Sequence, residues 1–183
     1  MKILISFLGT GAVSQKSGQA LREYRKAKYA IDGKMAGESP FVSSVLMDYY
    51  QYDGLILIGT VKSMWEEVYR YFSKKNNIDF NEDTYFKIAD QIEKSNHTTP
   101  YQDLDLQPVI KVLNGQSNAV VIPYGLNHKE QVEIFSQIAK ALHQIQSGDE
   151  IILDVTHSFR SLPLFTTTII NYIHSLTDKN LTF

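Results

Sequence analysis

The segment Asp154-Val155-Thr156-His157-Ser158-Phe159-Arg160-Ser161-Leu162-Pro163 concentrates the side chains best suited to chemistry. It offers a carboxylate, hydroxyls, an imidazole and a guanidinium within one short stretch. Hydroxyls and a planar cation suit phosphate oxygens and the polar edges of bases. The apolar run Ile151-Ile152-Leu153 precedes the segment, and Leu164-Phe165 through Ile169-Ile170 follows it. That pattern is a strand-to-helix corner, where a helix N-terminus adds its own attraction for anions.

Two further strand ends carry similar groups: Gly9-Thr10-Gly11, and Gly59-Thr60 followed by Ser63 and Trp65. In a parallel sheet all strand C-termini lie on one edge, so the three elements are expected to converge there. Glycine lets a ligand approach the backbone, and Thr and Ser supply hydrogen bonds. The expected ligand-binding set is Gly9, Thr10, Gly11, Thr60, Ser63, Trp65, Thr156, His157, Ser158 and Arg160. Each element taken singly is equally a strand-to-helix turn with a capping residue. Trp65 reads as core or as a stacking surface for a base. Arg160 reads as a ligand contact or as an ion pair with Asp154, and Asp154 as a brace accepting backbone N–H bonds. His157 reads as a polar contact or loop support ahead of a general base, because spacing assigns it no partner.

The elements that position these groups alternate. Buried strands are expected at Lys2–Leu8, Gly54–Ile58, Ala119–Ile122 and Ile151–Val155, with a further strand at Tyr29–Ile31 ending near Asp32-Gly33. Helices are expected from Ser39-Pro40, with Ser as N-cap and Pro at the first helical position. Others follow from Val61, over Asn81–Lys94 and Asp103–Leu113, after the capping pair Asn127/Glu130, and over Leu162–Leu176. Residues Ala12–Lys28 are polar and basic with little periodicity. The fold expected is α/β: a Rossmann-like, doubly wound, mostly parallel sheet with helices on both faces and a helical insertion around residues 73–115. Gly9-Thr10-Gly11-Ala12-Val13-Ser14 departs from a dinucleotide fingerprint, with Ser14 at the third glycine and a poor helix after it, although Asp32 stands where a ribose contact would.

With 183 residues the chain is long enough for one domain with a full core. Its net charge of −2 gives no global attraction for nucleic acid, so a polyanion site must be local. Lys16, Arg22, Arg25, Lys26, Lys28 and Lys34 read mainly as a solvated strand and loop, with one or two lining an anionic site. The absence of cysteine excludes disulfides and thiolate metal sites and is compatible with the cytoplasm. No apolar stretch approaches the roughly 18 residues a membrane span needs. His97, His128, His143 and His174 have no metal-ligand spacing. Lys179–Phe183 reads as the turn and first residues of another strand, so the chain is expected to be the N-terminal part of a longer protein.

The late motif, with Leu8-Gly9-Thr10-Gly11 and Ile58-Gly59-Thr60 followed by Ser63-Met64-Trp65, resembles the CARF (CRISPR-associated Rossmann-fold) domain of type III CRISPR ancillary proteins. It resembles the branch carrying the Asp-x-Thr-His-x-Phe-Arg-Ser-Leu-Pro signature, and the likeness spans nearly the whole chain. The resemblance implies a homodimeric, cytoplasmic sensor without a cofactor. Its ligand would be a cyclic oligoadenylate held across the two-fold axis, tetra-adenylate favoured over hexa-adenylate. Binding would control an attached effector, most often a HEPN ribonuclease, which alone would contact nucleic acid; no HEPN Arg-x-x-x-x-His pair occurs here. One alternative is a ring nuclease that also cleaves its ligand, with Thr10, Ser63, His157 and Arg160 as its candidates. Another is a nucleotide-dependent enzyme or regulator on the same fold.

Overall fold

A four-stranded parallel sheet forms the centre of the protein in a computed structural model, which describes residues 1–16, 19–23, 25–143, 145–156 and 161–177. Its strands are β1 (Lys2–Leu8), β6 (Gly54–Gly59), β7 (Asn118–Val121) and β8 (Glu150–Leu153), in the order β7-β6-β1-β8. β1 is central and pairs with both β6 (Ile3 opposite Gly54) and β8 (Ile3 opposite Ile151). Continuous apolar runs suit it, because both faces of such a sheet are covered.

Alternation along the strands divides the core in two. Leu4, Leu8, Leu55, Leu57, Ala119 and Val121 face one cluster. There they meet helices α1 (Val42–Tyr50), α2 (Trp65–Lys75), α3 (Glu82–Lys94) and α4 (Gln107–Leu113). Ile3, Ile5, Phe7, Ile56, Ile58, Val120, Ile122 and Ile151 face the other cluster, against α5 (His128–Leu142) and α6 (Ser161–Thr177). The chain winds from β1 out to β7 under one helical layer, then returns under α5 to β8 on the far side of β1. Strand order therefore reverses between β1 and β8, the switch point of a doubly wound sheet. The α3–α4 region is the expected helical insertion, with a 3-10 turn at Tyr101–Asp103 between the two helices.

The segment between β1 and α1 departs from expectation. Residues read as one strand and a basic loop form two antiparallel hairpins: β2 (Ala12–Lys16) with β3 (Gln19–Glu23), and β4 (Ala27–Ile31) with β5 (Lys34–Ser39). Asp32 and Gly33 both have positive φ, 51° and 75°. That is the geometry of a two-residue primed turn, which fits the right-handed twist of a hairpin. Asp32 thus makes the tip of a hairpin, which accounts for it without a ribose. α1 begins at Val42 with Phe41 as N-cap, two residues later than Ser39-Pro40 implies. Ser39 is still paired with Ala27 in the hairpin, and its Oγ accepts the Phe41 N–H at 3.1 Å. The Asn127/Glu130 pair caps α5 as expected. Asn127 Oδ1 accepts the Glu130 N–H, and Glu130 Oε2 accepts the N–H groups of Gly125 and Leu126.

Candidate functional site

The C-terminal ends of β1 and β8 stand side by side at the switch point, which brings Gly9-Thr10-Gly11 beside Asp154-Val155-Thr156. One side-chain bond ties β1 to the loop after β8. Ser6, buried within β1, donates its hydroxyl to Asp154 Oδ2 at 2.6 Å. The Asp154 N–H extends the ladder by donating to Ile5 O at 2.8 Å. Asp154 Oδ1 then accepts both the Thr156 N–H (2.9 Å) and the Thr156 hydroxyl (2.6 Å), a side-chain-closed turn. Asp154 is 6% exposed and spends its oxygens on these donors, so its role here is the brace. Thr10, Val155 and Thr156 remain exposed at the edge. His157, Ser158 and Arg160 lie outside the described residues, as does any ion pair of Arg160 with Asp154; so do Lys179–Phe183.

The loop after β6 serves the loop after β1. Ser63 has no exposed surface; its Oγ donates to Leu8 O at 2.7 Å and accepts the Thr60 N–H at 2.9 Å. The Met64 N–H donates to Gly9 O at 3.3 Å. Trp65 is likewise fully buried, and its Nε1–H donates to Thr60 O at 2.9 Å. Two expected ligand contacts thus lie in the core of this structure. Trp65 is a core residue without a free face for a base, and Ser63 spends its hydroxyl on two backbone groups. Ser63 of the ring-nuclease set is this same buried residue. Two glycines permit this packing. A Cβ on Gly59 would lie 2.7 Å from Ser63 Oγ and 2.8 Å from the Trp65 ring. A Cβ on Gly11, whose φ is +75°, would lie 1.9 Å from Met64 Sδ. The glycines thus clear space for protein neighbours, where sequence reasoning reserved it for a ligand.

Thr60 differs from its neighbours. It is 2% exposed, and its Oγ1 has no hydrogen-bond partner among the described residues. It lines a cavity of about 100 Å³ with Ile122, Pro123, Tyr124, Gln131 and Phe165, on the α5–α6 side of the sheet edge.

Sequence reasoning missed two residues. Ser6 was absorbed into an apolar run, although a lone hydroxyl inside Ile3–Leu8 is a readable signal. Tyr29 on β4 is half-buried, and a register shift at Tyr29/Ala30 interrupts its strand pairing. Burial, and next the Asp154 carboxylate, push its phenol above the ordinary value. The second hairpin thus reaches the neighbourhood of the β8 loop. Among the described residues no group of His, Asp and Glu could hold a metal ion, and no helix is long and apolar enough to cross a membrane.

Comparison with known proteins adds two findings. Residues 3–182 match the family described as CRISPR system endoribonuclease Csx1, CARF domain. The chain is also 36% identical, over 178 residues, to CRISPR-associated protein MJ1674 of Methanocaldococcus jannaschii. That alignment covers 90% of this chain and 28% of the relative, so the chain spans little more than a quarter of that protein's length.

Proposed function

The chain belongs to the CARF-domain family of the CRISPR system endoribonuclease Csx1, and we propose that it is a sensor for cyclic oligoadenylate in type III CRISPR defence. The supporting observation is the switch-point edge. Gly9-Thr10-Gly11 and Asp154–Thr156 follow the neighbouring strands β1 and β8 there, and Ser6 of β1 holds Asp154. The exposed Thr10 hydroxyl suits a phosphate oxygen, and the Thr156 hydroxyl oxygen, whose proton goes to Asp154, suits a ribose hydroxyl or an adenine amine. Two such edges related by a two-fold axis would match a symmetric cyclic ligand, so the sensing unit is a homodimer. The sensor works in the cytoplasm and passes its signal to an effector carried elsewhere in a longer protein. No cofactor enters the reading.

Titration calorimetry with cyclic tetra- and hexa-adenylate tests it, with chromatography of the ligand recovered afterwards. Saturable binding at one ring per two chains, with the ring intact and the affinity reduced in Thr156→Ala, is the expected result. Recovery of linear fragments replaces the pure sensor with a ring nuclease. A folded protein that binds neither ring overturns the reading.

A further inference from the structure

The Thr60 cavity is separate from the switch point: it opens between the ends of β6 and β7 and the first turn of α6. Its walls are apolar, from Ile122, Pro123, Ile134, Leu162 and Phe165, with Gln131 also in the lining. Inside it stands the unpartnered Thr60 hydroxyl. A buried polar atom without a partner is costly and calls for an explanation. The surrounding bonds fix it in this state. Thr60 N donates to Ser63 Oγ, and Thr60 O accepts from both Ser63 N and Trp65 Nε1. These bonds fix the Thr60 backbone, and with it the point from which the side chain enters the cavity.

We propose that this cavity is a base-reading pocket, in which Thr60 Oγ1 hydrogen-bonds the edge of one purine of the bound ligand. The inference rests on the cyclic oligoadenylate reading and deepens it. An apolar slot with one fixed polar atom is the usual construction of a specific small-molecule site. A hydroxyl both donates and accepts, so it can meet either a ring nitrogen or an exocyclic amine. The cavity, at about 100 Å³, is smaller than the ~150 Å³ void that takes a benzene ring. A purine edge therefore enters only as Leu162 and Phe165 yield. Those residues lie in the first turn of α6, Leu162 inside the signature segment and Phe165 just after it. Reading the base and displacing α6 become one event.

Two substitutions at one position test this. Thr60→Val keeps the shape and removes the hydroxyl; Thr60→Ser keeps the hydroxyl. Because the hydroxyl has no partner among the described residues, Thr60→Val is expected to melt at or above the wild-type temperature, which a structural hydroxyl would not allow. The same variant is expected to bind cyclic tetra-adenylate about tenfold more weakly, or ~1.4 kcal/mol, while Thr60→Ser retains the affinity. If Thr60→Val binds the ring as tightly as wild type, the pocket holds only water and the inference is overturned, with the sensor reading intact. If wild type itself binds neither ring, the sensor reading fails and takes the inference with it.

Discussion

Removing the Ser6 hydroxyl tests how the two halves of the site are joined. Ser6 and Asp154 are both buried, at 1% and 6% exposure, and their bond is 2.6 Å long. Ser6→Ala changes little volume, so its cost is that of leaving one buried carboxylate oxygen short of a donor. Bonds to charged groups contribute about 1.5–3 kcal/mol. In a domain of this size each kcal/mol moves the melting temperature by about 2–4 °C, so a loss near 2 kcal/mol gives a fall of about 4–8 °C. Thermal denaturation of Ser6→Ala, Asp154→Ala and the double variant completes a cycle. The expected coupling is about 1.5–3 kcal/mol, with Ser6→Ala nearly neutral once Asp154 is gone. Ser6→Ala should also weaken cyclic tetra-adenylate binding although Ser6 is buried, because the β8 loop loses its anchor. A melting temperature within about 1 °C of wild type, or a coupling near zero, would refute the account of Asp154 as a brace between β1 and β8.

Three other outcomes follow from the same geometry. Gly11→Ala should cost about 2–5 kcal/mol in urea denaturation, from the positive φ and the collision with Met64 Sδ together; measured against Met64→Ala alone, the same substitution should cost only the positive-φ part, about 1–2 kcal/mol. The Tyr29 phenol, raised above its ordinary 10.0 by burial and then by Asp154, should titrate lower in Asp154→Asn by NMR, and an unchanged titration would separate the hairpin from the β8 loop. Burial, then the Glu67 carboxylate that accepts its hydroxyl at 2.9 Å, raise the Tyr85 phenol far above 10.0. The unfolded chain ionises this group first, so its contribution is intact below about pH 10 and lost as the pH rises further. Tyr85→Phe should flatten that alkaline decline in stability, and an unaltered slope would contradict the assignment.

The parallel strands and most helices were legible because burial on both faces writes itself as long apolar runs and helical spacing. The hairpins were not. Their strands are only five or six residues long, and those of the second hairpin, β4 and β5, are partly exposed. Asp32-Gly33 carried the turn signal, but it was read as the end of one strand instead of the link between two. At the site, the positions of the strand ends were legible and the direction of their side chains was not. A hydroxyl after a strand reads alike whether it stands exposed, as on Thr10, or serves a neighbouring carbonyl, as on Ser63. Trp65 carried both readings, and the helical pattern of Val61, Met64, Trp65 and Val68 pointed to the one the structure adopts.

The Ser6–Asp154 bond joins residues 148 positions apart. The proposed binding edge therefore depends on β1 and β8, the first and last described strands of the sheet, at once. Such distant contacts are late and slow in folding, since the intervening chain must be organised before they form. A nascent or damaged chain lacking β8 could build most of one helical layer and still hold no ligand edge. Conversely, a ligand seated there favours only the complete fold, and stabilises it in proportion to its concentration over its dissociation constant. Ligand recognition would then double as an inspection of the sensor's own integrity, and half-made copies would stay silent.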